Sequence, residues 1–242
     1  MCRHLGYLGR PRTLQELVLD PPYSLGVQAY APRRQEHGTI NVDGFGVGWY
    51  TSRRPEPVRY RRAQPMWADQ SFASLAPTVD AGCVVAAVRS ATPGYPSEES
   101  GAAPFTHGHW LFSHNGALGD LALARKALRD EVAWVPDALA PVDSALLFGL
   151  ALARWEGGSS LGEGLARVTR EVAELGGGRL NLLAGDGDRI AGTTYGDTLF
   201  VHESADGVRL ASEPCDDDPA WAPVPPRSLV EVDRHGVVVT SL

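Results

Sequence analysis

Six consecutive residues, Cys83-Val84-Val85-Ala86-Ala87-Val88, carry nothing more polar than a thiol, and the run stops at Arg89-Ser90. A stretch that short and continuous suits a strand buried on both faces. A sheet containing it needs a covering layer on each side. In Gly44-Phe45-Gly46-Val47-Gly48-Trp49-Tyr50 glycines alternate with apolar residues, which in a strand lets another backbone or a ligand approach unusually closely.

The flanking elements complete a layered pattern. Cys2 to Gly9 reads as a strand, followed by a helix near Thr13, where Thr13 and Glu16 have capping-box spacing. Another strand is expected near His109 to Ser113, after a loop from Thr92 to Pro104 rich in Gly, Pro, Ser and Glu. Helical periodicity covers about Gly119 to Asp130, Val142 to Trp155 and Leu161 to Leu175, with Gly157-Gly158 separating the last two. Short strands return near Leu180 to Ala184, Arg189 to Thr193, Thr198 to His202, Val208 to Ala211 and Leu229 to Val239, the last divided by a turn at His235-Gly236. Strands, then helices, then strands favour an α+β arrangement of stacked antiparallel sheets covered by helices. With 242 residues, 43% hydrophobic, and no internal repeat or linker, one domain over 1–242 is the economical expectation.

A net charge of -7 and a pI near 5.5 argue against sequence-independent nucleic-acid binding and for a small-molecule substrate. The longest apolar run, Ala145 to Ala153, is too short for a membrane helix, and the N-terminus lacks signal-peptide organisation, so cytoplasmic residence is the default expectation. Three cysteines without C-x-x-C spacing suggest neither a disulfide framework nor a zinc site, and the histidines show no H-E-x-x-H. Asp216-Asp217-Asp218 reads as a solvated acidic loop, so no metal is expected.

A nucleophilic cysteine needs a base or a positive field, since a free thiol ionises only near pH 8.5. Cys2 has such a base once Met1 is removed: its own α-amine, with an ordinary pKa of about 7.7–8.0. While Met1 is attached that nitrogen is a peptide amide. Taken alone, Cys2 reads equally as an early strand residue. Cys83, in an apolar strand, and Cys215, ahead of three aspartates, are poorer nucleophiles. Ser113-His114-Asn115-Gly116 offers an amide beside a glycine N–H, as in an oxyanion hole, although Asn-Gly by itself reads as a turn. Arg89 could grip a carboxylate and Asp143 an ammonium; alternatively Arg89 is a strand-end ion pair and Asp143 a helix N-cap.

Taken together, Met1-Cys2-Arg3-His4, Asp43-Gly44-Phe45-Gly46-Val47-Gly48, Arg89-Ser90-Ala91-Thr92, His114-Asn115-Gly116 and Val142-Asp143-Ser144 resemble the class II glutamine amidotransferases, in that family's order over roughly the first 145 residues. The resemblance implies the four-layer αββα fold of N-terminal-nucleophile hydrolases. It makes Cys2 the nucleophile, its α-amine the base, Asn115 and Gly116 the oxyanion donors, and Arg89 and Asp143 the clamps on a glutamyl carboxylate and ammonium; Thr92 and His114 become further substrate contacts. Pro93 stands where many members have histidine, and Val142 where they often have threonine.

No acceptor domain follows the hydrolase-sized unit, so the expected reaction is hydrolysis through a γ-glutamyl thioester without cofactor. Four further stretches, Gln28 to Gln35, Ser71 to Pro77, Arg179 to Leu183 and Ala211 to Pro214, extend the likeness over nearly the whole chain. They resemble those amidohydrolases that release glutamate from a γ-glutamyl conjugate of a sulfur-linked histidine betaine. A glutaminase subunit serving a separate synthase and a catalytically silent γ-glutamyl-binding protein are the alternatives; no obligate protein partner is indicated. Tyr30, Trp67, Tyr95, Tyr195 and Trp221 are candidates by residue type for a trimethylammonium group, against ordinary packing for any one of them.

Overall fold

The computed structural model describes residues 2–92 and 94–242; Met1, whose removal would free the Cys2 α-amine, and Pro93, which stands where many members of the resembled family have histidine, lie outside them. From the N-terminus the chain runs β1 (Arg3–Thr13), α1 (Leu14–Val18), α2 (Leu25–Gln28), β2 (Phe45–Thr51), β3 (Arg54–Arg62), α3 (Gln70–Leu75), β4 (Asp80–Val88), β5 (Phe105–His107) and β6 (Trp110–Leu118). It continues through α4 (Leu121–Leu128), α5 (Asp143–Glu156), α6 (Leu161–Leu175), β7 (Gly178–Gly185), β8 (Ile190–Thr194), β9 (Phe200–Ser204), β10 (Gly207–Ala211), β11 (Trp221–Pro223), β12 (Ser228–Asp233) and β13 (Gly236–Ser241).

Two antiparallel sheets result, one ordered β11-β9-β10-β1-β4-β2-β3 and the other β13-β12-β8-β7-β6-β5. Three apolar clusters show the layering. Cys83, Val85 and Leu210 from the first sheet meet Leu111, Leu183, Ile190 and Val232 from the second. Leu5, Tyr7, Phe45, Val84 and Val88 pack outward on Leu14, Leu17, Leu25 and Phe72 of the first three helices. Phe112, Leu182 and Ala184 face Phe148, Leu152, Leu165 and Val168 of α5 and α6. This is the expected four-layer αββα arrangement, and β4 is buried on both faces because its alternate side chains enter different layers.

The Thr13 capping box forms: the hydroxyl accepts from Glu16 N (3.1 Å) and the Glu16 carboxylate accepts from Thr13 N (2.9 Å). One strand is not announced by the sequence, and one local turn signal misleads. The prolines and arginines of Arg54–Arg62 hide a strand, β3; it lies at a sheet edge, where a missing N–H costs no ladder bond. The turn expected at Asn115-Gly116 is absent, because both residues continue β6 opposite Asn181 and Leu180. Gly116 meets the strand with φ 153°, and an added Cβ would lie 1.9 Å from the Arg179 carbonyl oxygen, so a side chain is excluded there.

Candidate active site

Cys2 precedes β1, whose register against the neighbouring strands fixes where the thiol stands. Arg3 pairs with Val88 at the end of β4. His4 is held from the other side by Ser212, just beyond β10: Ser212 N donates to His4 O (3.0 Å), and His4 N donates to Ser212 Oγ (3.0 Å). The nucleophile candidate is therefore two residues from a two-way anchor. His4 is fully buried, and that burial, with the charges of Arg3 and His114, pushes its imidazole down to about 3.

Cys2, Arg89, Thr92, Tyr95, His114, Gly116, Asp143 and Ser144 line one narrow cleft at this end of the sheets. Ser90, Ala91, Gly101 and Ala103 complete the lining on one side, and the free volume is about 20 Å³. Asn115 does not line the cleft; its side chain is buried behind it, with Nδ2 3.5 Å from Ser212 Oγ and Oδ1 without a hydrogen-bond partner.

Arg89 emerges from the end of β4 and is only 6% exposed. Its guanidinium donates to the carbonyl oxygens of Asp43 (3.3 Å) and Pro96 (3.0 Å). Gly101 leaves it space, since a Cβ there would stand 3.0 Å from Arg89 Cζ. Asp43 braces the same corner by accepting from Ala91 N (2.8 Å).

Asp143 is equally buried. It is the first residue of α5 rather than its cap, which is Val142. Its carboxylate accepts from Leu118 N (3.1 Å) and Ser144 N (2.9 Å). Among the described residues no ion-pair partner lies within 4.0 Å of either Arg89 or Asp143. Two opposite buried charges thus face one cleft with neither spent on the other, an arrangement costly unless a ligand completes it.

His114 buttresses this end. Nε2 meets the Arg179 carbonyl oxygen (2.9 Å), which can only accept, so Nε2 carries the hydrogen. In the neutral ring Nδ1 then accepts from Ser144 Oγ (3.1 Å). Both nitrogens are occupied, so the ring supports Ser144 and Asp143 rather than offering a free group to substrate.

Sequence reasoning named no role for Ser212, Ser144, Gly101 or Asp43. Ser212 lay within a stretch that carried the resemblance, but its contact with His4 spans 208 residues and no local signal announces it. Of the five aromatic candidates only Tyr95 lines the Cys2 cleft. Tyr30 and Trp67 form an exposed edge-to-face pair at 5.4 Å, Tyr195 lies under Arg227, and Trp221 packs against His202. Among the described residues no group of three or more His, Cys, Asp or Glu side chains could hold a metal ion, and no helix is long and apolar enough to cross a membrane.

Comparison with known proteins shows what the whole chain is similar to. The profile of the class-II glutamine amidotransferases matches residues 16–206. The chain is 48% identical over its whole length to the γ-glutamyl-hercynylcysteine sulfoxide hydrolase of Mycobacterium tuberculosis, covering 97% of that protein. It is 49% identical, with full coverage of both chains, to the protein of the same name from Mycolicibacterium smegmatis. In fold it is similar to a class-II glutamine aminotransferase domain protein from Silicibacter pomeroyi, with TM-score 0.70, 24% identity and 99% of each chain covered. It is also similar to the glutamine phosphoribosylpyrophosphate amidotransferase of Bacillus subtilis, with TM-score 0.71 and 15% identity, covering 99% of this chain and 49% of that one. The chain belongs to the class-II glutamine amidotransferases.

Proposed function

We propose that this protein hydrolyses the γ-glutamyl amide of γ-glutamyl-hercynylcysteine sulfoxide, releasing glutamate and hercynylcysteine sulfoxide in ergothioneine biosynthesis. The observation that carries the reading is the pair of unspent charges in the Cys2 cleft. Arg89 and Asp143 stand where one ligand can bring a carboxylate to the first and an ammonium to the second, the two charges of a glutamyl head group. The relatives at 48–49% identity supply the leaving group.

In this mechanism the α-amine of mature Cys2 takes the thiol proton, and the thiolate adds to the γ-carbonyl carbon. Gly116 N–H and, once the cleft opens onto it, Asn115 Nδ2 stabilise the oxyanion. Asn115 Oδ1, buried and without a partner, offers an acceptor to the α-ammonium. That ammonium returns its proton to the departing amine as the C–N bond breaks. Water, deprotonated by the same amine, then cleaves the thioester and regenerates the thiol.

The test is glutamate release by mature protein from the hercynyl conjugate and from free glutamine. The conjugate is expected to have the higher kcat/KM by at least tenfold. Arg89→Ala should lower kcat/KM on it by ~10²-fold, mainly through KM, by removing a charge-assisted clamp. Equal processing of glutamine would defeat the substrate assignment, and an unaffected Arg89→Ala variant would defeat the clamp.

A further inference from the structure

On the far side of β1 from the glutamyl cleft lies a second charged hollow of about 150 Å³, bordered by Arg33, Arg34, Glu213, Asp217, Asp218 and Trp221. Its floor is Glu213, 1% exposed. Glu213 Oε2 accepts from the backbone N–H groups of Arg33 and Arg34, both at 2.7 Å, while Oε1 is buried without a hydrogen-bond partner. One carboxylate oxygen thus fixes the loop, and the other, in the field of the buried Arg3 guanidinium, still lacks a hydrogen-bond donor.

The charges at the rim divide. Arg33 is committed: it stacks over Tyr23 at 3.7 Å and pairs with Asp217 at 3.6 Å. Arg34 has only the Phe200 ring, 5.9 Å away, and among the described residues no carboxylate within ion-pair distance. Trp221 is oriented by its Nε1–H, which donates to Asp216 (2.8 Å). The hollow therefore holds an uncommitted cation, carboxylates, an indole and a buried acceptor.

Its place relative to Cys2 follows from the register. Leu5 pairs with Ala211 and His4 with Ser212, which brings Glu213 alongside Arg3. At ~3.3 Å per residue along a strand and ~4.8 Å between strands, the Cα of Glu213 in the floor of the hollow stands about 6 Å from that of Cys2. A cysteinyl sulfoxide joined to an imidazole spans a comparable length.

We propose that this hollow is the leaving-group subsite and that it takes an amino-acid betaine, a carboxylate and a trimethylammonium on one carbon. The proposal rests on the reaction assigned above. A quaternary ammonium has no N–H to donate, so it is held by carboxylates and aromatic faces; Asp217, Asp218 and Trp221 provide these. The betaine carboxylate goes to Arg34, and an imidazole N–H on the same ligand reaches Glu213 Oε1. Of the five aromatic residues the sequence offered, this selects Trp221.

The test has a binding arm and a kinetic arm. Histidine betaine is titrated calorimetrically into the Cys2→Ala protein, alone and combined with Arg34→Gln or Asp217→Asn, with histidine as the unmethylated control. Histidine betaine should bind at least tenfold more tightly than histidine, and each second substitution should weaken it at least tenfold. In mature enzyme with Cys2 intact, each substitution should lower the ratio of kcat/KM for the hercynyl conjugate over that for γ-glutamyl methylamide at least tenfold. Betaine affinity unmoved by both substitutions, or equal affinity for histidine, overturns the subsite. Failure of the reaction assignment shows differently: wild type releases no glutamate from the conjugate, whatever its affinity for the betaine.

Discussion

Two clefts open at opposite ends of the paired sheets, and each contains a cysteine. The one at the Gly9 end of β1 has a volume of about 750 Å³ and is lined by Arg10, Tyr50, Cys83, Asp206 and Arg234 among others; the one at the Cys2 end is far smaller. Volume would choose the first. Its chemistry does not: burial pushes the Cys83 thiol up to about 12, and Asp206 is already engaged by Arg10 and Arg12. In the small cleft the charges of Arg89 and Asp143 are unspent. Recognition resides in groups the fold has buried and left unsatisfied, not in empty space.

The largest effect that could break this contrast comes from exchanging the thiols. Cys2→Ala should abolish turnover, while Cys83→Ala, which removes only a buried small side chain, should leave kcat within about twofold at a stability cost of ~1 kcal/mol. Activity surviving in Cys2→Ala, or lost in folded Cys83→Ala, would reverse the roles of the two ends.

A smaller effect sharpens the picture of the active end. Asn115→Ala should lower kcat by about 10²–10³-fold with little change in KM. Ser212 touches both the Cys2 strand and the Asn115 amide, so Ser212→Ala should lower kcat by roughly 10-fold and shift the pH profile of kcat/KM, as expected when a base is displaced. A Ser212→Ala effect confined to thermal stability would reduce that residue to a structural tie.

The smallest effect concerns acid. His4 is held neutral in the folded state down to about 3, whereas the unfolded chain protonates it near 6.5. Between those values the unfolded state binds more protons, so stability is intact above ~6.5 and falls as pH drops through the window, by about 3 kcal/mol near pH 4. His4→Asn should flatten the decline of melting temperature with acid. An unchanged slope would place the acid sensitivity elsewhere.

How much was legible follows from where each signal resides. The double burial of β4 and the meeting of Arg89 and Asp143 in one cleft are written in contiguous residues or in a family pattern. Asn115-Gly116 was ambiguous because Asn-Gly is a turn signal locally, whereas its strand conformation is imposed by pairing with Asn181 and Leu180. Ser212, Glu213 and Gly101 act through residues 12 to 208 positions away, and nothing within a short window distinguishes them from other small or acidic residues. β3 was masked by prolines that only an edge position tolerates.

The near-closure of the Cys2 cleft has a consequence in time. With about 20 Å³ free as the side chains stand, a glutamyl head group is admitted only when lining side chains move aside. The competent form is then a fraction of the whole population, and productive association is the collision rate scaled by that fraction.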